Sequence, residues 1–260
     1  MFRVFASEAF GLGMIVFIVA CHGAGGELKS PVSGPVTASA AFAVAVWTMG
    51  PISGPQLTAA LSLALLLTRR MNFVYGIIGV LGQLCGSLLG IGLAACLIPG
   101  LRDRTNFALH APGPGVTDGQ AFGLECICTF LLIACCLSTL DESRNAHWAQ
   151  GHVTQFSVVV FLLILMLAAI IAKITGCGMN PAASMAAAVY NNNYKKLWIY
   201  IVAPVVGAII AVLFWEMVLS DAASIERTKH WLTDPHFDRT KDYKRLNQQG
   251  NVMHESEEAM

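Results

Sequence analysis

The chain has 260 residues, 55% of them hydrophobic and 12% charged, and its acidic and basic side chains cancel to a net charge of zero. It is too apolar for a soluble domain of this length. It also lacks the basic tract by which a chain engages nucleic acid.

Uncharged runs cover 9–26, 30–68, 71–101, 126–140, 145–172, 174–194 and 197–215. Several exceed the roughly 20 residues that cross a bilayer. The N-terminus holds Arg3 and Glu8 with no small-residue cleavage site, so no cleaved signal peptide is expected. Spanning helices are predicted at about 5–24, 35–50, 73–98, 120–140, 153–173 and 196–219, with shorter helices at 58–68 and 181–191. Six crossings put both termini on one side. In the helix at 73–98, Gly79, Gly82, Gly86 and Gly90 form a stripe that lets backbones approach. Trp47, Trp198, Tyr200 and Trp215 near span ends suit interfacial anchoring. From 220 to 260 the composition turns charged and polar, predicting a disordered tail. Within it, Tyr243-Lys-Arg-Leu246 fits the tyrosine-x-x-hydrophobic pattern read by sorting adaptors.

Seven of the eight cysteines (Cys21, Cys85, Cys96, Cys126, Cys128, Cys135 and Cys136) lie in apolar runs, where free cysteine behaves as a small hydrophobe. None has companions at zinc spacing, so neither metal nor cofactor is expected. The spans contain no paired carboxylates or histidine clusters, which argues against an enzyme.

The chain is organised around Thr175-Gly-Cys-Gly-Met-Asn-Pro-Ala-Ala-Ser184, which lies where a membrane protein would ordinarily have a water-exposed loop. Asn180 is a strong N-cap, and Pro181 suits the first helical position because it needs no N–H partner. The apolar residues that follow suggest that the backbone dips back into the membrane, a course tolerated only where it is buried in protein or lines a cavity. The alternative is an ordinary cap on an ordinary span. A second copy argues against it: Thr58-Ala-Ala-Leu-Ser-Leu-Ala64 matches Asn180-Pro-Ala-Ala-Ser-Met-Ala186 at Ala60/Ala182, Ser62/Ser184 and Ala64/Ala186. Short apolar segments repeated in two halves point to a midplane site between inverted repeats.

From about Glu8 to Leu219 these residues resemble the aquaporin (major intrinsic protein) family. The resemblance implies an all-α membrane protein with six transmembrane helices and two re-entrant half-helices. The channel domain would span 1–219, with repeats at about 1–98 and 120–219. It also implies a homotetramer in lipid, with one pore per subunit for water and small neutral solutes. Short-loop arginines and lysines do not fix the orientation; cytosolic termini, in a plasma or intracellular membrane, follow from the resemblance. Glu8 and Glu125 start matching helices. They are read either as first-turn carboxylates facing water or, as in the family, as buried acceptors for backbone N–H groups of the re-entrant loops, the reading favoured by the expense of a lone intramembrane charge. Thr129 stands at the family's spacing after Glu125, whereas Leu12 follows Glu8. Carbonyls of Ser53 to Gln56 and of Thr175 to Gly178 would line the path as acceptors, with Asn180 supplying a midplane amide donor.

The pattern departs from the family twice. The first signature triad reads Thr58-Ala59-Ala60, against Asn180-Pro181-Ala182 in the second. The outer filter positions fall at Ala38, Ala168, Cys177 and Ala183, the last replacing the family's arginine. Phe42, one turn below Ala38, is expected to narrow the path. Such a wide, weakly polar ring suits water together with glycerol or urea. The alternative is a non-conducting or weakly ion-leaky structural or junctional protein of the same fold.

Overall fold

The computed structural model describes residues 1–24, 32–54, 56–141 and 153–239, with side chains of 24, 153 and 154 excluded. Lys29, Arg144 and the Tyr243–Leu246 motif lie outside the described residues. Among the described residues, eight helices build the channel body: α1 (Phe2–Ala24), α2 (Ser33–Ser53), α3 (Ala59–Leu67), α4 (Phe73–Leu97), α5 (Asp118–Thr139), α6 (Val153–Ile171), α7 (Pro181–Asn191) and α8 (Leu197–Phe214). A π-helical turn (Trp215–Leu219) extends α8, and α9 (Ile225–Thr233) follows.

Local chemistry places the helix starts. Asn72 caps α4 by accepting from the Val74 N–H at 2.9 Å. Thr117 and Gln120 form a reciprocal capping box at the head of α5. Among the described residues, five helices are long and apolar enough to cross a membrane, and α6 contributes a shorter apolar segment, Gln155–Ile171. Their outer faces carry exposed Phe10, Leu81, Leu89, Ile127, Leu162 and Ile209, while Gln83, Ser87 and Thr129 are buried inside. This inside-out distribution is that of a body solvated by lipid.

The two halves pack alike. The glycine stripe of α4 meets α1: a Cβ on Gly82 would strike the Phe5 carbonyl, one on Gly86 that of Ala9, and one on Gly90 that of Gly13. In the second half, a Cβ on Gly207 of α8 would strike the Cys126 carbonyl of α5. The halves then interlock, because α2 pairs with α6 and each short helix packs on the last long helix of the other half, α3 on α8 and α7 on α4.

Two expectations are corrected. Tyr200 and Trp215 are not interfacial anchors: they are 1% and 0% exposed, whereas Trp47 and Trp198 are half exposed. Tyr200 turns inward because its hydroxyl donates to the Thr175 carbonyl at 2.6 Å. Trp215 is buried among Arg70, Arg227 and Arg239, whose guanidinium carbons stand 4.8, 6.0 and 4.9 Å from its ring. The described part of the tail, residues 220–239, is likewise folded onto the body. Glu216, fully buried, pairs with Arg227 at 2.6 Å and with Arg239. Trp231 Nε1 donates to the Leu67 carbonyl at 3.0 Å, and Arg239 Nε to that of Thr68 at 3.1 Å. These bonds satisfy carbonyls at the end of α3 that have no helical partner. Composition predicted disorder because it cannot reveal that a buried carboxylate waits upstream to receive the charges.

Candidate functional site

The short helices α3 and α7 begin at the same place, inside the protein, and are capped by the residues predicted to cap them. Thr58 Oγ1 accepts from the Leu61 N–H at 3.0 Å. Asn180 Oδ1 accepts from the Ala182 N–H at 3.2 Å, and its amide nitrogen donates across the junction to the Leu57 carbonyl at 3.0 Å. The asparagine thus caps its own helix and ties down the chain entering the other. The matched residues Ala60, Ser62, Ala64, Ala182, Ser184 and Ala186 are all buried. They are small because both half-helices run through the packed centre.

Glu8 and Glu125 hold the irregular segments ahead of these caps. Both are fully buried. Glu8 accepts from Ser53 Oγ at 2.6 Å, the Leu57 N–H at 2.8 Å and Gln83 Nε2 at 2.8 Å. Glu125 accepts from Thr175 Oγ1 at 2.5 Å and from the N–H groups of Gly178 and Met179 at 2.9 and 2.7 Å. Both carboxylates are thus buried and bonded to backbone N–H groups of the segments ahead of the caps. Thr129, at the family's spacing after Glu125, is not its hydroxyl partner: the Thr129 hydroxyl finds no partner among the described residues, and Thr175 donates to Glu125. Sequence spacing identified a threonine one helical turn away, but the loop supplies the nearer hydroxyl.

These bonds over-determine a strained backbone. Leu57, Cys177 and Met179 have φ of 52°, 59° and 41°, in the left-handed region that side chains disfavour, alongside Gly54 and Gly176 at 76° and 87°. The halves exchange bulk here. Gln56 lies against Gly79, where a Cβ would come within 2.5 Å of Gln56 Oε1. Gly178, equivalent to Gln56 by its place before the cap, lies against Tyr200, where a Cβ would come within 2.5 Å of the ring.

A cavity of about 540 Å³ opens beside the junction and reaches the loop at 104–110. Its lining includes Ala38, Ala168, Cys177 and Ala183, the four predicted ring positions, together with Thr58 and Asn180. Glu8, Glu125, Ala59, Ala60, Pro181 and Ala182 stand behind the wall and shape it. The carbonyls of Gly176, Cys177 and Gly178 accept no hydrogen bond among the described residues, so this side keeps acceptors for a solute. On the first half the expected ladder is corrected. The Gly54 carbonyl accepts from the Gln56 N–H at 2.8 Å, the Gln56 carbonyl from the Thr58 N–H at 2.7 Å, and the Ser53 carbonyl from Gln56 Nε2 at 3.1 Å. Gln56 folds back because Gly79 leaves room for it.

Beyond the junction a pocket of about 20 Å³ is lined by Phe42, Val46, Gln56, Leu57, Leu61 and Phe156, among others. It shares Phe42, Thr58, Leu132 and Ile164 with the large cavity, so Phe42 lies between the two. One residue escaped the sequence reading. His110 lines the large cavity and shares a 2.9 Å hydrogen bond with Ser184 through Nδ1. Its one legible signal was being an isolated titratable group in a linker, which by itself points to nothing.

Two interlocked halves, re-entrant caps and a cavity at their junction define a helical membrane channel fold. The major intrinsic protein family model matches residues 1–215, and the chain belongs to that family. It is 31% identical to aquaporin-1 of Bos taurus over 236 residues, covering 85% of this chain and 84% of the relative. It is 32% identical to aquaporin-5 of Mus musculus over 223 residues, 83% and 82% of the two chains. The X-ray structure of the aquaglyceroporin from Plasmodium falciparum superposes with a TM-score of 0.76 at 21% identity, covering 84% of this chain and 96% of that one.

Proposed function

We propose that the chain conducts water and small uncharged solutes of the glycerol and urea class passively, through a pore running from the 104–110 loop past Ala38, Ala168, Cys177 and Ala183 to the Thr58–Asn180 junction. The observation that carries this reading is the 540 Å³ cavity, roomy and mostly apolar, with a single row of backbone acceptors on one side. Selectivity in such a path rests on diameter, lining donors and electrostatic barriers. With alanine at 183, no fixed guanidinium narrows the ring. Both half-helices point their positive ends at the junction, which opposes cations. The protein is a multi-pass membrane protein; cytosolic termini and a homotetramer are carried over from the family.

Osmotic swelling of proteoliposomes, first in sucrose and then in a glycerol gradient, tests the proposal. Ala183→Arg is expected to suppress glycerol flux more than water flux, and equal loss of both would mean simple blockage. A second reading, a non-conducting structural protein, has one observation in its favour. The inner pocket of about 20 Å³ holds about one water between largely apolar walls. Absence of any flux in the parent protein would establish that reading.

A further inference from the structure

Among the described residues lining the large cavity, Arg104 and His110 are the two able to carry a positive charge, and no carboxylate lines it. Arg104 is exposed at the rim, where it donates to the Gly23 carbonyl at 3.3 Å. His110 is set deeper and held. Nδ1 shares its bond with the hydroxyl of Ser184, adjacent to Ala183, and the ring tilts against Tyr200 with centroids 5.6 Å apart. A Cβ on Gly176 would lie 3.5 Å from His110 Cδ2, so that edge of the ring faces the Gly176–Gly178 segment, which lines the cavity and whose carbonyls accept no hydrogen bond among the described residues. Nε2, on the same edge, has no hydrogen-bond partner among the described residues.

We propose that His110 is a specificity-determining residue of the pore, which offers neutral solutes a hydrogen-bonding group opposite the Gly176–Gly178 carbonyls and becomes a fixed cation that closes the outer cavity in acid. The inference rests on the channel reading. Its geometry explains why one polar ring matters here: the four ring positions are three alanines and Cys177, so a solute that leaves water finds few side-chain partners at that depth. Whichever nitrogen carries the proton, Nδ1 is engaged by Ser184 and Nε2 remains for the solute.

The charges facing His110 come from several elements. Glu125 on α5 lies nearby, its carboxylate already occupied by Thr175, Gly178 and Met179. Lys195 and Lys196 line a small pocket on the other side of the ring, and Lys196 is paired with Asp118 at 2.7 Å. Arg104 lies on the same loop. Burial pushes the His110 pKa below its ordinary value, and Glu125 only partly opposes this. The ring is therefore neutral at neutral pH and charges only below the usual histidine range. Flux should be full at neutral pH and fall as pH drops through that lowered pKa.

Stopped-flow swelling of proteoliposomes, followed as a pH profile from about pH 7.5 downward to the acid limit of the vesicles, tests this, with water and glycerol measured on the parent, His110→Gln and His110→Ala. The parent is expected to lose glycerol flux several-fold on acidification. Both variants should lose that response; His110→Gln, which keeps a polar group, should retain the parent's neutral-pH ratio of glycerol to water flux, while His110→Ala shifts it. Should His110→Ala fail to reconstitute, the pH profile of His110→Gln decides. A conducting parent whose pH profile and flux ratio are unchanged in the variants overturns the inference while leaving the channel reading intact. A parent without flux overturns both.

Discussion

At the residue scale, Asn180 does more than cap. Thr58 and Asn180 both satisfy an N–H of their own helix, but Asn180 also reaches the carbonyl of buried Leu57, which has no other partner among the described residues. Thr58→Ala should remove one cap, about 1 kcal/mol. Asn180→Ala should remove a cap and strand a carbonyl, on the order of 1–3 kcal/mol more. Thermal unfolding of the two variants in detergent checks the order, and equal losses would show that the cross-junction bond is idle. Cys177 is the second residue to test. It is half-buried in the cavity wall, whereas Cys85, Cys96 and Cys135 are exposed on helix outer faces. A membrane-impermeant thiol reagent applied from the cavity side should reduce flux in the parent and leave Cys177→Ser unaffected, even if Cys96 at the end of α4 is labelled. Persistent inhibition in Cys177→Ser would move the path elsewhere.

At the scale of elements, the crossing of α1 and α4 depends on missing side chains. A Cβ on Gly86 would overlap the Ala9 carbonyl, a backbone atom that cannot step aside, while a Cβ on Gly92 of the same helix meets nothing within 4 Å. Gly86→Ala should therefore destabilise by about 1–3 kcal/mol through overpacking. Gly92→Ala should be neutral or gain up to about 1 kcal/mol from helix propensity. The pair is its own control in an unfolding assay: equal effects would mean that glycine content, and not close approach, shapes the helix.

At the scale of the whole molecule, the segment after α8 locks the end of α3 from which the first half-helix enters. Arg69 donates to the Asp234 and Trp231 carbonyls at 2.7 and 2.8 Å, while Trp231 and Arg239 return bonds to Leu67 and Thr68. Truncation after Ala223 would remove Arg227 and Arg239 from the buried Glu216 and uncover Trp215. It should lower stability by a few kcal/mol, because one partner of a buried ion pair is left behind. Truncation after Arg239 should change little. Melting temperatures in detergent distinguish the two, and a silent first truncation would show the docked segment to be a passive cover.

The elements were legible in the sequence because membrane burial writes itself as composition. Uncharged runs gave the long helices to within a few residues. Asn180-Pro181 and its diverged copy at Thr58 gave the half-helices, since capping is local chemistry. The resemblance to the family implied the roles of Glu8 and Glu125 at the re-entrant loops and the four ring positions, and those four residues line one cavity. What required tertiary structure was every partnership between segments distant in the chain. Thr175 rather than Thr129 meets Glu125, Gln56 folds into the gap left by Gly79, and Tyr200 fills the one left by Gly178. His110 enters the cavity wall only because α7 and α8 hold its loop there. The arginines after 220 become buried only because Glu216 is. Periodicity and capping act over one or two turns of chain, but the strength of a hydrogen bond or an ion pair depends on what the fold brings within a few ångströms. No pattern along the sequence encodes that distance.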